Sequence, residues 1–158
     1  MTLVDTNVIL DLVTNDPAWS DWSIAKFEEA ALRGPLCIND VVYAELSVRY
    51  DRIEDLEALL ADAAIDVARM PRDALFLAGK VFVQYRKSGG ARTGVLPDFF
   101  IGAHAAVSGL PLLTRDGGRY RHYFPGLALI APKSRPEASY KFHNLSYAKI
   151  NNIYITGY

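Results

Sequence analysis

Four short apolar runs, Leu3-Val4, Leu36 to Ile38, Leu112 to Thr114 and Leu127 to Ile130, and the strand-like Ile65 to Ala68 are separated by longer amphipathic stretches. This alternation constrains the fold more than any other feature of the chain. Strands that succeed one another with a helix between them run parallel through right-handed crossovers, so the expected class is α/β, a mostly parallel central sheet covered by helices. The spacing predicts helices over Asn7 to Val13, about Trp19 to Leu32, Ile53 to Leu60, Asp73 to Tyr85 and Asp98 to Val107. Asn15-Asp16-Pro17, Gly34-Pro35 and Gly109 are their stop signals. A further helix carrying Val41, Val42, Glu45 and Leu46 is expected to be capped by Asn39 or Asp40. Ser88 to Pro97 reads as a loop.

At 158 residues and 17.5 kDa the chain suits one domain that buries its core without disulfides or metal staples. Hydrophobic residues make up 51% and charged ones 22%, which excludes a disordered or low-complexity chain. The single cysteine, Cys37, lies in an apolar run and reads as a small core residue; its solitude excludes zinc clusters. No run is long enough for a membrane span, and no basic stretch followed by an apolar one opens the chain, so a cytoplasmic location is expected. Residues 1–132 form the expected domain. The rest, 133–158, holds four of the nine tyrosines and reads as an appendage: an added strand, a partner-binding tail or a segment from expression.

The net charge of −1 conceals a division. Residues 1–66 hold 14 acids against 4 bases, a charge of −10, while residues 67–158 hold 4 acids against 13 bases, a charge of +9. Either the basic half faces a polyanion or an acidic partner, or the halves neutralise each other in the fold.

Four acids occupy informative places. Asp5 follows the first strand, Glu45 lies in the helix after the second, Asp98 opens a helix after a Gly/Pro loop, and Asp116 follows the strand ending at Thr114. Residues beyond the carboxyl ends of parallel strands converge on one edge, where ligands bind. Taken singly each acid has an ordinary explanation: Asp5 and Asp98 as helix caps, Glu45 as a solvated helix residue, Asp116 as a turn residue before Gly117-Gly118. Together, four carboxylates at one edge repel one another unless a cation sits among them. An oxygen-only ligand set selects Mg²⁺ or Mn²⁺, and phosphate chemistry follows.

The ordered segments Leu3-Val4-Asp5-Thr6-Asn7, Val41-Val42-Tyr43-Ala44-Glu45-Leu46, Leu96-Pro97-Asp98-Phe99-Phe100-Ile101-Gly102-Ala103-His104-Ala105 and Leu112-Leu113-Thr114-Arg115-Asp116-Gly117-Gly118-Arg119-Tyr120 resemble the PIN-domain ribonucleases, and among them the VapC toxins of bacterial toxin–antitoxin pairs. The resemblance spans about Met1 to Pro132. It implies a three-layer α/β/α fold, a Mg²⁺- or Mn²⁺-dependent endoribonuclease cutting single-stranded RNA, a homodimer, and inhibition by a small VapB-like antitoxin. By the same resemblance Asp5, Glu45, Asp98 and Asp116 match the family's acidic quartet, with Thr6 or Asn7 and Thr114 in supporting polar positions. Asp5 and Asp98 are the expected direct ligands, Glu45 a ligand or a water-orienting residue, and Asp116 a group acting through water. Thr114 and Asn7 are expected to hydrogen-bond the carboxylates or their waters. In-line displacement at phosphorus would leave a 5′-phosphate and a 3′-hydroxyl.

Cations stand near these acids. Arg86, Lys87 and Arg92 flank Gly89-Gly90 ahead of Asp98, and Arg115, Arg119 and Arg121 surround Asp116; such residues suit phosphate contacts that position RNA without reading its sequence. Tyr120 and Tyr123 are candidates for stacking on bases, although core packing is the simpler account. His104, six residues after Asp98 and so about 240° around a helix, is expected to face away from the acids as a structural residue. Trp19 and Trp22 are expected to pack, the outer one being a candidate wall for an antitoxin groove. The glycines between Gly89 and Gly94 do not fit the Walker A spacing, so nucleotide hydrolysis lacks support. Two other readings compete. A haloacid-dehalogenase-type phosphatase also places an Asp after its first strand but needs a second Asp where Asn7 stands, and a PIN fold that binds RNA or protein without cutting is the other.

Overall fold

The computed structural model describes residues 1–134. The appendage expected over 133–158 lies, from residue 135 onward, outside the described residues. The element order is β1 (Thr2–Val4), α1 (Thr6–Thr14), α2 (Ser20–Arg33), β2 (Leu36–Asn39), α3 (Asp40–Ser47), α4 (Ile53–Asp62), β3 (Ile65–Ala68), α5 (Arg72–Lys87), α6 (Pro97–Ser108), β4 (Leu112–Leu113), α7 (Gly117–Tyr123) and β5 (Leu129–Ile130).

Five strands pair in the order β3-β2-β1-β4-β5, and every pairing is parallel, with Thr2 beside Leu36, Leu3 beside Leu112, Leu36 beside Ile65 and Leu112 beside Leu129. Central parallel strands are covered on both faces by their crossover helices, so they read as continuous apolar runs rather than alternating ones. Leu3, Val4, Cys37, Ile38, Leu112 and Leu113 are accordingly all buried. The chain travels from β1 outward through β2 to β3, then returns to the other side of β1 for β4. The direction of winding therefore reverses between β1 and β4, where a doubly wound sheet opens its ligand-binding crevice.

Several boundaries follow from local chemistry. Asn39, and not Asp40, caps α3, its Oδ1 accepting from the N–H groups of Val41 at 3.1 Å and Val42 at 2.9 Å. Asp40 instead accepts from the Met70 N–H at 2.8 Å, which ties the chain after β3 back to α3. Gly109 ends α6 in the left-handed region at φ 63°, a conformation that disfavours any side chain. His104 is buried on α6, where desolvation pushes its pKa below the ordinary imidazole value and the charge of Asp40 opposes that shift.

Two expectations need correction. The strands near the carboxyl end are shorter than their apolar runs, β4 stopping at Leu113 and β5 starting at Leu129. The turn weighed as the ordinary reading of Asp116 is not formed: the residues after it make α7. Gly102, one helical turn after Asp98 on the same face of α6, explains how α7 reaches that face. A Cβ at Gly102 would stand 2.4 Å from the ring of buried Phe124, the residue that ends α7. Gly102→Ala is expected to lower stability by about 1–3 kcal/mol through overpacking, read from the denaturation midpoint. An unchanged midpoint would show that α7 does not depend on this close approach.

Candidate active site

Asp5 stands at the carboxyl end of the central strand, beside the crevice between β1 and β4. It occupies the N-cap position of α1, yet its side chain makes no capping hydrogen bond. Its Oδ2 accepts from Asn7 Nδ2 at 2.7 Å, from the Thr114 hydroxyl at 2.7 Å and from the Tyr120 hydroxyl at 3.2 Å. Three donors from α1, the end of β4 and α7 thus meet on one carboxylate oxygen. Thr114 also accepts from Asn7 Nδ2 at 3.2 Å and from the Asp116 N–H at 3.1 Å, which closes the network over the crevice.

Asp5 is 4% exposed, and burial raises its pKa above the ordinary carboxyl value. The hydrogen bonds from Thr114 and Tyr120 oppose that shift, and the nearby charge of Glu45 adds to it. Tyr120 is 2% exposed, and burial together with the negative Asp5 drives its pKa well above the phenol value, which keeps it a protonated donor. Glu45, half-buried on α3, accepts from the Thr6 hydroxyl, so the first turn of α1 serves both acids.

The other two acids are placed differently. Asp98 lies in the first turn of α6 behind Pro97, with Leu96 as the N-cap, and its carboxylate is paired with the guanidinium of Arg119 from α7. Asp116 is exposed at the N-cap position of α7, where its side chain makes no capping bond. Asp5, Asp98 and Asp116 therefore flank helix starts without capping them. Among the described residues no three of His, Cys, Asp and Glu are gathered closely enough to hold a metal ion together. Asp5 and Glu45 are neighbours, while Asp98 is drawn to Arg119.

The cations expected along a phosphate chain divide in the same way. Arg119 is committed to Asp98, and Arg115 to Asp11. Arg86 folds onto its own loop, donating to the carbonyls of Gly90 and Arg92 at 2.9 Å each. Lys87, Arg92 and Arg121 are exposed. Trp19 and Trp22 pack edge to face at 6.0 Å, and Tyr123 packs against Phe99 at 5.0 Å. The stacking role weighed for Tyr120 does not fit a ring so fully buried.

Sequence reasoning weighed Tyr120 only for base stacking or core packing and missed its hydroxyl as a donor to Asp5. The available signal was that a buried tyrosine needs a partner for its hydroxyl, and Tyr120 stands four residues after Asp116. It also passed over Asp11, although a carboxylate four residues after Asn7 shares a helix face with it.

A family model described as the PIN domain matches residues 2–125. No curated protein matches the chain at a significant level. Solved structures share its fold. VapBC2 from Rickettsia felis, bound to a DNA fragment from its promoter, is 19% identical with a TM-score of 0.64, covering 83% of this chain and 98% of that one. VapBC-1 from nontypeable Haemophilus influenzae is 21% identical with a TM-score of 0.60, covering 81% and 95%. FitAcB from Neisseria gonorrhoeae is 20% identical with a TM-score of 0.57, covering 82% and 96%. The family match sets aside the phosphatase reading, and the geometry agrees: Asn7 donates to Asp5 at 2.7 Å, where a second aspartate would repel it.

Tyr120→Phe removes a donor to the ionised form of Asp5 and so is expected to raise the Asp5 pKa further, read by NMR titration of the carboxyl carbon. An unchanged titration would show that the Tyr120 bond does not hold the charge.

Proposed function

This chain belongs to the PIN domain family, and on that premise we propose that it is the VapC-like toxin of a toxin–antitoxin pair, a Mg²⁺- or Mn²⁺-dependent endoribonuclease acting in the cytoplasm. The observation that carries the reading is Asp5 itself: a buried carboxylate beside a second one, Glu45, with three donors on a single oxygen. Those donors fix the group without neutralising it, and the groups that would ligate an ion here are carboxylate oxygens alone, so the site fits a hard divalent ion.

Asp5 and Glu45 would hold the ion, Asp98 would join them on leaving Arg119, and Asp116 would act from the exposed rim. When bound, the ion supplies a Lewis acid for the phosphodiester and lowers the pKa of the attacking water. Thr114 and Asn7 keep Asp5 in one orientation, and Thr6 does the same for Glu45. Arg119, released from Asp98, would be free to meet a phosphate oxygen, and exposed Lys87 and Arg92 would receive the RNA backbone on either side. Cleavage would leave a 5′-phosphate and a 3′-hydroxyl. The expected partners are a second copy of the chain and a small VapB-like antitoxin that covers the same rim.

Cleavage of single-stranded RNA is expected to require added Mg²⁺ or Mn²⁺, to stop in EDTA, and to vanish in Asp98→Asn with the melting curve retained. Cleavage by that folded variant at the wild-type rate, or undiminished cleavage in EDTA by protein shown to hold no metal, would exclude the mechanism. A wild-type chain that binds RNA without cutting it under any divalent ion would favour the binding-module reading. An antitoxin gene is expected immediately upstream, and co-expression of its small product is expected to block cleavage and restore growth; failure of both would remove the toxin assignment and leave the nuclease.

A further inference from the structure

A second buried carboxylate lies on the same face of α1 as Asn7. Asp11 is 2% exposed, accepts from the Ser23 hydroxyl of α2 at 2.7 Å, and is paired with the Arg115 guanidinium. Burial raises its pKa, and the Ser23 hydroxyl and the Arg115 charge oppose the shift. The Arg115 guanidinium also lies over the Trp19 ring, 5.6 Å from its centroid, so its position is held from two sides. Its backbone enters the site already described. The Arg115 N–H donates to Asn7 Oδ1 at 3.1 Å, and Asn7 Nδ2 donates onward to Asp5 Oδ2 at 2.7 Å.

An asparagine amide has one accepting end and one donating end. With the Arg115 N–H on Oδ1, the NH₂ end must face Asp5; the flipped amide would set its carbonyl against a carboxylate. Asp11 is buried while its Arg115 partner is 32% exposed, and an ion pair that takes a carboxylate out of water contributes little net stability, so this pair is better explained by what it orients than by what it stabilises. We infer that Arg115 and Asp11 form a positioning pair that fixes the Asn7 amide and, through it, the Asp5 carboxylate, so that Arg115 serves the cation site and not the RNA backbone. This assignment replaces the phosphate contact expected of Arg115 from sequence. It rests on the metal-dependent reading proposed above.

The test uses the full chain, with Mn²⁺ affinity measured by electron paramagnetic resonance and RNA binding measured against salt concentration in EDTA. Asp11→Asn and Arg115→Gln are each expected to weaken Mn²⁺ binding about tenfold. The double variant Asp11→Asn/Arg115→Gln, which leaves no buried charge unpaired and keeps the test open if a single variant does not fold, is expected to lose no more than either single one. The salt dependence of RNA binding should stay at its wild-type slope. Unchanged Mn²⁺ affinity with a shallower salt slope would make Arg115 a phosphate contact and overturn the inference. Unchanged Mn²⁺ affinity with only a lower melting temperature would reduce the pair to packing and overturn it equally. A wild-type chain that binds no Mn²⁺ would overturn the metal reading and this inference with it.

Discussion

The rest of the structure depends on one carboxylate oxygen, Asp5 Oδ2, and on the three donors that meet there. Asn7 lies two residues away, but Thr114 and Tyr120 are 109 and 115 residues further along the chain. The bond from Thr114 crosses the crevice between β1 and β4, the place where the sheet reverses its winding. A buried carboxylate without such donors would simply take up a proton. With them it is held in place, and burial together with Glu45 still raises its pKa. The network positions a charge without cancelling it, which is what a cation site requires.

The surrounding packing makes that meeting possible. Apolar β1, β2 and β4 bring their carboxyl ends to one level, and the bare Cα of Gly102 lets Phe124 press against α6. The same contact sets α7 against the start of α6, delivering Tyr120 to Asp5 and Arg119 to Asp98. The division of charge along the chain is resolved only in part by the fold. Among the described residues the Arg115–Asp11 pair joins the basic half to the acidic one, whereas Arg119–Asp98 lies within the basic half. Lys87, Arg92 and Arg121 remain exposed.

Much of this was legible in the sequence because local rules decide it. The alternation of apolar runs implied a parallel sheet, Gly109 marked the end of α6, and acids just beyond strand ends marked the edge where Asp5 and Thr114 sit. The interactions that finish the site were not legible for a different reason. α7 begins at Gly117-Gly118, residues that disfavour a helix, and it is held by tertiary contacts through Tyr120 and Phe124. The partners of Tyr120 and Arg115 lie more than 100 residues away, so no local period reveals them. Arg86 and Arg115 looked like phosphate contacts because charge and position were all the sequence offered; their commitment to loop carbonyls and to Asp11 is a property of the folded chain.

The central claim, that the fold presents the Asp5 carboxylate as a ligand for a divalent cation, is tested most directly by thermal melts of the wild-type chain and Asp5→Asn, each in EDTA and in Mn²⁺. The substitution removes a buried charge that faces Glu45, so in EDTA the variant should melt at or above the wild-type temperature. Added Mn²⁺ should raise the wild-type midpoint and leave the variant where it was. A wild-type midpoint indifferent to Mn²⁺, with Asp5→Asn less stable in EDTA, would show that Asp5 is a structural hydrogen-bond acceptor and not a cation ligand.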